Sequence, residues 1–202
     1  MMKDDDDEED NLYDEIYTKV MYNNVSDNFI IKKIKNMGSD FDVNRIYRTI
    51  DIKWPLLTIA CFVGREELVR YLSTHPKINI NLIDYYHDTA LHIACEYNRI
   101  NSLDLLLKNS SINVNIQGHG EHTALHYASK GHRNVCKALL LDSRIDVMLM
   151  NCDGETAQDR ALRMGHYSIE KMINNSMYTA LIRIPNKTLL HDIIRMIIEE
   201  YL

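Results

Sequence analysis

A chain of 202 residues with 46% apolar and 26% charged residues has the composition of a soluble globular protein, long enough for a domain that removes about 70% of its unfolded surface from water. No stretch approaches the roughly 20 consecutive apolar residues that would span a bilayer, and the four cysteines include no C-x-x-C pair, so neither a membrane span nor zinc or redox chemistry is expected. The formal charge of -6 is uneven: residues 1–10 hold one Lys against seven acids, leaving 22 basic and 22 acidic residues in the other 192, a balance without the clustered basic excess that direct nucleic-acid binding needs.

The chain begins MMKDDDDEED, with acids where an export signal would carry basic residues and an apolar run. Residues 1–10 are therefore expected to form a solvated, disordered tail, and the protein to be intracellular, in the cytoplasm, the nucleus or both. There the cysteines stay reduced and act as small apolar residues, and the N-x-S/T triplets at Asn24, Asn109, Asn174 and Asn186 carry no glycan. Residues 11–47 hold two helical apolar patterns, one through Leu12, Ile16 and Val20 and one through Phe29, Ile30 and Ile34, but lack the motif that recurs from Pro55 onward. They suit a degenerate capping unit. A longer loop with Arg45, Arg48 and Trp54 comes next.

From there the sequence repeats itself. PLLTIACFVGREELVRYLS starts at Pro55, TALHIACEYNRINSLDLLL at Thr89, TALHYASKGHRNVCKALLL at Thr123 and TAQDRALRMGHYSIEKMI at Thr156, in steps of 34, 34 and 33 residues. Gly64, Asn98, Gly131 and Gly165 share one turn position, and both residue types tolerate the left-handed backbone of a tight helix–helix turn. INI at 78–80, INV at 112–114 and IDV at 145–147 recur after the second helix of successive units. A period of this length means stacked supersecondary units, each burying its apolar face against its neighbours. Thr89, Thr123 and Thr156 are placed to cap the first helices; Ala60, Ala94 and Ala128 keep those helices thin; Leu68, Leu72, Leu103, Leu106, Val135 and Leu139 fill the second layer. The third unit is one residue short between Ala128 and Gly131, so its first helix should end early.

The pattern T-x-L-H-x-A followed by G-H, an apolar second helix and a D-V-N-like stretch resembles the ankyrin repeat. It is carried best by Thr89, Leu91, His92, Ala94, Leu103, Leu106, Asn113 and Asn115, and by Thr123, Leu125, His126, Ala128, Gly131, His132, Leu139 and Leu140. The first unit departs with Leu56, Leu57 and Thr58 and the last with Gln158 and Asp159, as edge units do. The resemblance implies an all-α fold, an ankyrin-repeat α-solenoid of stacked helix-turn-helix units with hairpin finger loops. Its expected layout is an acidic tail at 1–10, a degenerate N-terminal capping repeat at 11–47 and four repeats within 48–175, at approximately 54–85, 86–119, 120–152 and 153–175. A C-terminal capping helix is expected at 176–202, where Leu190, Ile193, Ile194, Ile197 and Ile198 share one helical stripe. Residues 185–202 also resemble the F-box-like tail of some viral ankyrin proteins, which implies the alternative of a substrate-recruiting ubiquitin-ligase adaptor.

Enzyme signatures are missing: the sequence holds no G-x-S-x-G, H-E-x-x-H or P-loop. His92, His126, His132 and His166 fall on structural positions of the repeat, and His119 and His122 have no third ligand in view, so no catalytic residue, cofactor or metal is expected. In proteins of this family the finger loops and the exposed side of the first helices meet a partner. That implies a protein partner held through Tyr85, Tyr86 and Asp88, then Glu96 and Tyr97, His119 and His122, Lys130, Asp153 and Glu155, and Arg163. With Phe62, the tyrosines form a candidate aromatic patch, the usual anchor of an interface. The expected protein is a monomeric, non-enzymatic scaffold or inhibitor, with some similarity to NF-κB-inhibitor-like ankyrin proteins.

Overall fold

The computed structural model describes residues 4–22, 25–38, 41–48 and 53–182. Ten helices among these residues pack as successive antiparallel pairs: α1 (Asp4–Met21) with α2 (Asp27–Met37), α3 (Leu56–Val63) with α4 (Glu66–Ser73), α5 (Ala90–Glu96) with α6 (Ile100–Leu107), α7 (Ala124–Ala128) with α8 (Arg133–Leu140), and α9 (Ala157–Arg163) with α10 (Tyr167–Ile182). First helices stack on first helices and second on second, the stacking of units expected from the period and the all-α solenoid that the family resemblance implied. Helix α1 starts inside the segment expected to be a disordered tail. Acids near a helix N-terminus are favoured by the backbone dipole, so the run of Asp and Glu is compatible with a helical start.

The stacking follows from residue size. Ala60, Ala94, Ala128 and Ala161 are wholly buried where the first helices meet, and Leu68, Leu72, Leu103, Leu106, Val135, Leu139, Ile169 and Ile173 fill the layer of second helices. The five-residue α7 is the shortest first helix, as the missing residue before Gly131 requires. Tyr13 and Tyr17 of α1 are also buried, and the Tyr17 hydroxyl donates to the Arg45 carbonyl, tying the first pair to the segment that leads into α3. The loop containing Arg45, Arg48 and Trp54 is more ordered than its length suggests. On either side of positions 49–52 it pairs as two antiparallel strands, β1 (Ile46–Arg48) and β2 (Lys53–Pro55), with Tyr47 opposite Trp54.

Three sets of side chains bind the pairs together. His92 Nδ1 accepts from the Thr89 N–H at 3.0 Å, which leaves the proton of the neutral ring on Nε2, 2.9 Å from the Ile116 carbonyl of the next finger. His126 repeats the arrangement with Thr123 (3.2 Å) and Glu155 (3.0 Å). In the opposite direction, the residue after each inter-helix turn reaches back. Arg65 donates to the Lys19, Val20 and Val25 carbonyls, Arg99 to that of Phe62 at 2.8 and 3.1 Å, and His132 Nε2 lies 2.9 Å from that of Glu96. A Cβ on Gly64 would stand 3.3 Å from the Arg99 guanidinium and one on Gly131 3.1 Å from the His166 ring, so these turns need glycine for closeness as well as for φ of 86° and 128°. Last, Asn44, Asn81 and Asn115 each donate to a carbonyl of the following unit (Lys77, Ser111, Arg144) and accept an N–H from it (Asn79, Asn113, Asp146), all at 2.7–2.9 Å.

Candidate partner-binding surface

The fingers are built alike. In each, the N–H of the entry residue donates to the carbonyl four residues on: Asp84 to Asp88 at 2.8 Å, Gly118 to His122 at 2.8 Å, Asn151 to Glu155 at 2.9 Å. The Asp84 carboxylate closes its own turn by accepting from the Tyr86 and Asp88 N–H groups, and the Asn151 carboxamide oxygen does the same for Asp153 and Glu155. Gly118 has no side chain to do this, and Asp88 of the preceding finger substitutes, taking the His119 N–H at 3.1 Å. The Asp88 carboxylate fills the place where a Cβ on Gly118 would stand.

This use of Asp88 removes it from the surface. Only 6% exposed, it also accepts the Tyr127 hydroxyl at 3.0 and 3.2 Å, so the expectation that Asp88 meets a partner is corrected: its charge is consumed in locking two fingers to a first helix. Burial of the ring, reinforced by the charge and hydrogen bonds of Asp88, pushes the Tyr127 hydroxyl far above its ordinary pKa. Burial raises Asp84 as well.

The expected aromatic patch divides into two clusters. Tyr85 and Tyr86 are 64% and 51% exposed and meet edge to face at 5.4 Å, Tyr86 continues onto His119 at 6.1 Å, and Lys53 Nζ caps the Tyr85 ring at 4.4 Å. Phe62, half-buried, sits between Trp54 (5.1 Å) and the 43% exposed Tyr97 (4.7 Å). Lys53 was not legible as part of this surface, because it lies in the first finger, where the period is broken by extra residues. His122 turns inward, with Nδ1 on the Gly120 carbonyl at 2.9 Å and its ring stacked on His126 at 5.5 Å. Burial chiefly holds His92, His122 and His126 below their usual pKa.

The charged candidates are paired with one another. Lys130 meets Glu96 at 2.9 Å across two first helices, and Arg163 forks onto Glu155; exposed Asp153 lies on the last finger. Sequence reasoning passed over Arg160, which takes the frame position of Ile59, Ile93 and Tyr127. Its Nε and Nη1 are buried without a hydrogen-bond partner, and burial is the main cause of its lowered pKa. Among the described residues no three His, Cys, Asp or Glu side chains gather as a metal site, and no helix is long and apolar enough to cross a membrane.

Family models for ankyrin repeats match residues 20–118, as three copies, and residues 121–152, as a single repeat, together more than half of the chain. The chain belongs to the ankyrin-repeat family. Comparison with curated proteins gives no match. The pair α9–α10 of this ankyrin protein lies beyond the matched residues. Ankyrin repeats are protein–protein interaction modules.

Proposed function

We propose that this ankyrin-repeat chain is a non-enzymatic, monomeric scaffold or inhibitor that holds a protein partner through its finger loops and the exposed side of its first helices. The observation that carries this reading is the Tyr85–Tyr86 pair: two neighbouring aromatic rings more than half exposed on a finger tip and fixed by Lys53 and His119. Exposed, rigid aromatics contribute little to folding and are favoured as anchors at interfaces. Tyr97, Glu96, Lys130 and Arg163 extend the surface along the first helices and the turns that end them, and Asp153 and Glu155 extend it along the last finger.

Affinity capture with the wild-type chain and with Tyr85→Ala/Tyr86→Ala, the captured protein then being titrated against both, tests it. Stability should change by no more than about 0.5 kcal/mol, the range of surface substitutions, while affinity falls by about 2 kcal/mol or more, as for paired anchors. Equal affinity, or an unfolded double variant, would refute the reading. The ubiquitin-ligase adaptor alternative depends on residues 185–202, which lie outside the described residues. Nothing among the described residues favours it.

A further inference from the structure

The array closes differently at its C-terminal end. Helices α4, α6 and α8 each span eight residues and stop at Ser73, Leu107 and Leu140, after which the chain turns into a loop that covers the loop before it. Ile112 and Val114 of the loop after α6 are buried in this way. Helix α10 does not stop at the corresponding place but runs sixteen residues, to Ile182. Among the described residues no loop therefore lies over Ile145 and Val147, which are half-buried. What is left among the described residues is an open groove of about 560 Å³ whose apolar lining is Leu140, Leu141, Ile145, Val147 and Met172, with Lys137 and Asp142 among its polar residues.

A second feature marks the same end. Asn44, Asn81 and Asn115 each bond forward to the next loop, but the next position in that series is Met148, 54% exposed, and Leu141 is 78% exposed. A thioether has no N–H to give a following carbonyl and accepts only weakly, whereas Met and Leu suit contact with an apolar surface.

The chain carries a segment suited to this groove. Beyond Ile182, in residues outside the described ones, Pro185 is followed by Leu190, Ile193, Ile194, Ile197 and Ile198 on one helical stripe, with His191, Asp192, Arg195, Glu199 and Glu200 off it. Ser176 in the groove wall stands six residues before Ile182, about 9 Å along a helix. The six residues 183–188 can reach about 20 Å, enough to return. We propose that residues 189–202 dock on this groove through that stripe, covering Ile145 and Val147 in place of the loop the long α10 displaces. The stripe is then engaged within its own chain and is not a standing recruitment tail, whether or not the finger surface binds a partner.

Methyl NOE spectra of the full chain, labelled at Ile, Leu, Val and Met, test this directly. Contacts from Val147 and Met172 to at least one of Ile193, Ile194, Ile197 and Ile198 are expected, and they should vanish from the intermolecular spectrum of a mixed labelled and unlabelled sample. Contacts that appear only between chains would assign the groove to a second copy, and an absence of contacts would leave it open to another protein; either result overturns the proposal. A second arm uses Ile194→Asp/Ile197→Asp in the full chain. Loss of several degrees in Tm with new dye binding at the groove supports docking, and an unchanged Tm overturns it.

Discussion

Arg65 is the joint between the first helix pair and the rest of the stack, and Arg65→Met measures what that joint contributes. The Arg65 side chain is 3% exposed and its guanidinium donates to Val20 O at 3.0 Å, Val25 O at 2.9 Å, Lys19 O at 3.0 Å and Asp27 Oδ1 at 2.7 Å. Hydrogen bonds to a charged group are each worth about 1.5–3 kcal/mol net, and stranding the partner of a buried ion pair costs about 3–5 kcal/mol. The four bonds do not add, because Asp27 is 20% exposed and can regain water, and Met refills part of the volume. A net loss of about 3 kcal/mol is expected, confined to the α1–α2 junction because repeat stability is a sum over neighbouring contacts. Trp54, the sole tryptophan, packs on Phe62 next to that junction and reports it by fluorescence, while circular dichroism at 222 nm reports all helices. At an m of about 2 kcal/mol/M in urea, the Trp54 midpoint should fall by about 1.5 M, ahead of the bulk of the helical signal. A midpoint within about 0.3 M of the wild type would show that the junction is held by apolar packing alone, and the reasoning from hydrogen bonds would fail.

Acid should weaken the fold through His92 and His126. Burial holds both rings neutral, against the Asp88 charge and the Ile116 and His122 backbone at His92 and against the Glu155 carbonyl at His126, where the His122 and Arg160 charges also oppose protonation. Their folded pKa lies below the unfolded value near 6.5, so their contribution is complete above that pH and is lost as pH falls through it, by up to about 1.4 kcal/mol per histidine per pH unit. Asp84, whose carboxyl is raised by burial, acts in the opposite sense at lower pH. Thermal melts from pH 7.5 to 5.5 should show this slope, and His92→Asn/His126→Asn should flatten it. Titration with a thiol reagent should modify Cys152 alone, since Cys61, Cys95 and Cys136 are buried and burial pushes the Cys136 thiol up to about 12; fast reaction of a second thiol would reveal an opening between pairs. Gly118→Ala should cost about 2 kcal/mol in a chemical melt, because its Cβ would fall 2.0 Å from Asp88 Oδ1. Adding Asp88→Ala should recover part of that loss, and strict additivity of the two changes would argue against the clash.

What the sequence made legible was whatever recurs. The 34-residue step, the alanine and leucine layers, the capping threonines and the shortened α7 all follow from periodic residues whose neighbours are themselves a fixed number of positions away. What it hid was aperiodic. The strand pair of 46–48 and 53–55 lies where extra residues break the frame, so Lys53 could not be placed over Tyr85. Asp88 stands on a finger beside residues that are exposed, and only the absence of a side chain at Gly118, one unit on, could have hinted that it turns inward. Arg65 and Arg99 occupy the position of His132, and a residue-by-residue overlay would have shown three donors in a row; their identity differs, so the common role is visible only in the bonds. Residues 183–202, on which the capping helix and the adaptor tail depend, lie outside the described residues.

The same substitutions explain where the array is strongest. The forward series has a bonding imidazole only at His92 and His126. Thr58 stands in that position in the first full pair with its hydroxyl buried and unpartnered, and Asp159 stands there in the last, accepting from Thr156 at 2.6 and 2.9 Å but with no proton to pass onward. A carboxylate completes its own cap and ends the relay, and a threonine is too short to begin it. The consequence is a graded stack in which the finger before α7 is tied by His92 at Ile116 and by Asp88 at His119, and the finger before α9 by His126 at Glu155, whereas the finger before α5 receives no imidazole from the pair preceding it. His119 thus stands on a finger tied by both His92 and Asp88, whereas Tyr85 and Tyr86 stand on one held by its own Asp84 turn and by the Tyr85 N–H to the Lys53 carbonyl at 3.4 Å. Both present their side chains from hydrogen-bonded turns, which limits the ordering entropy lost when a partner binds.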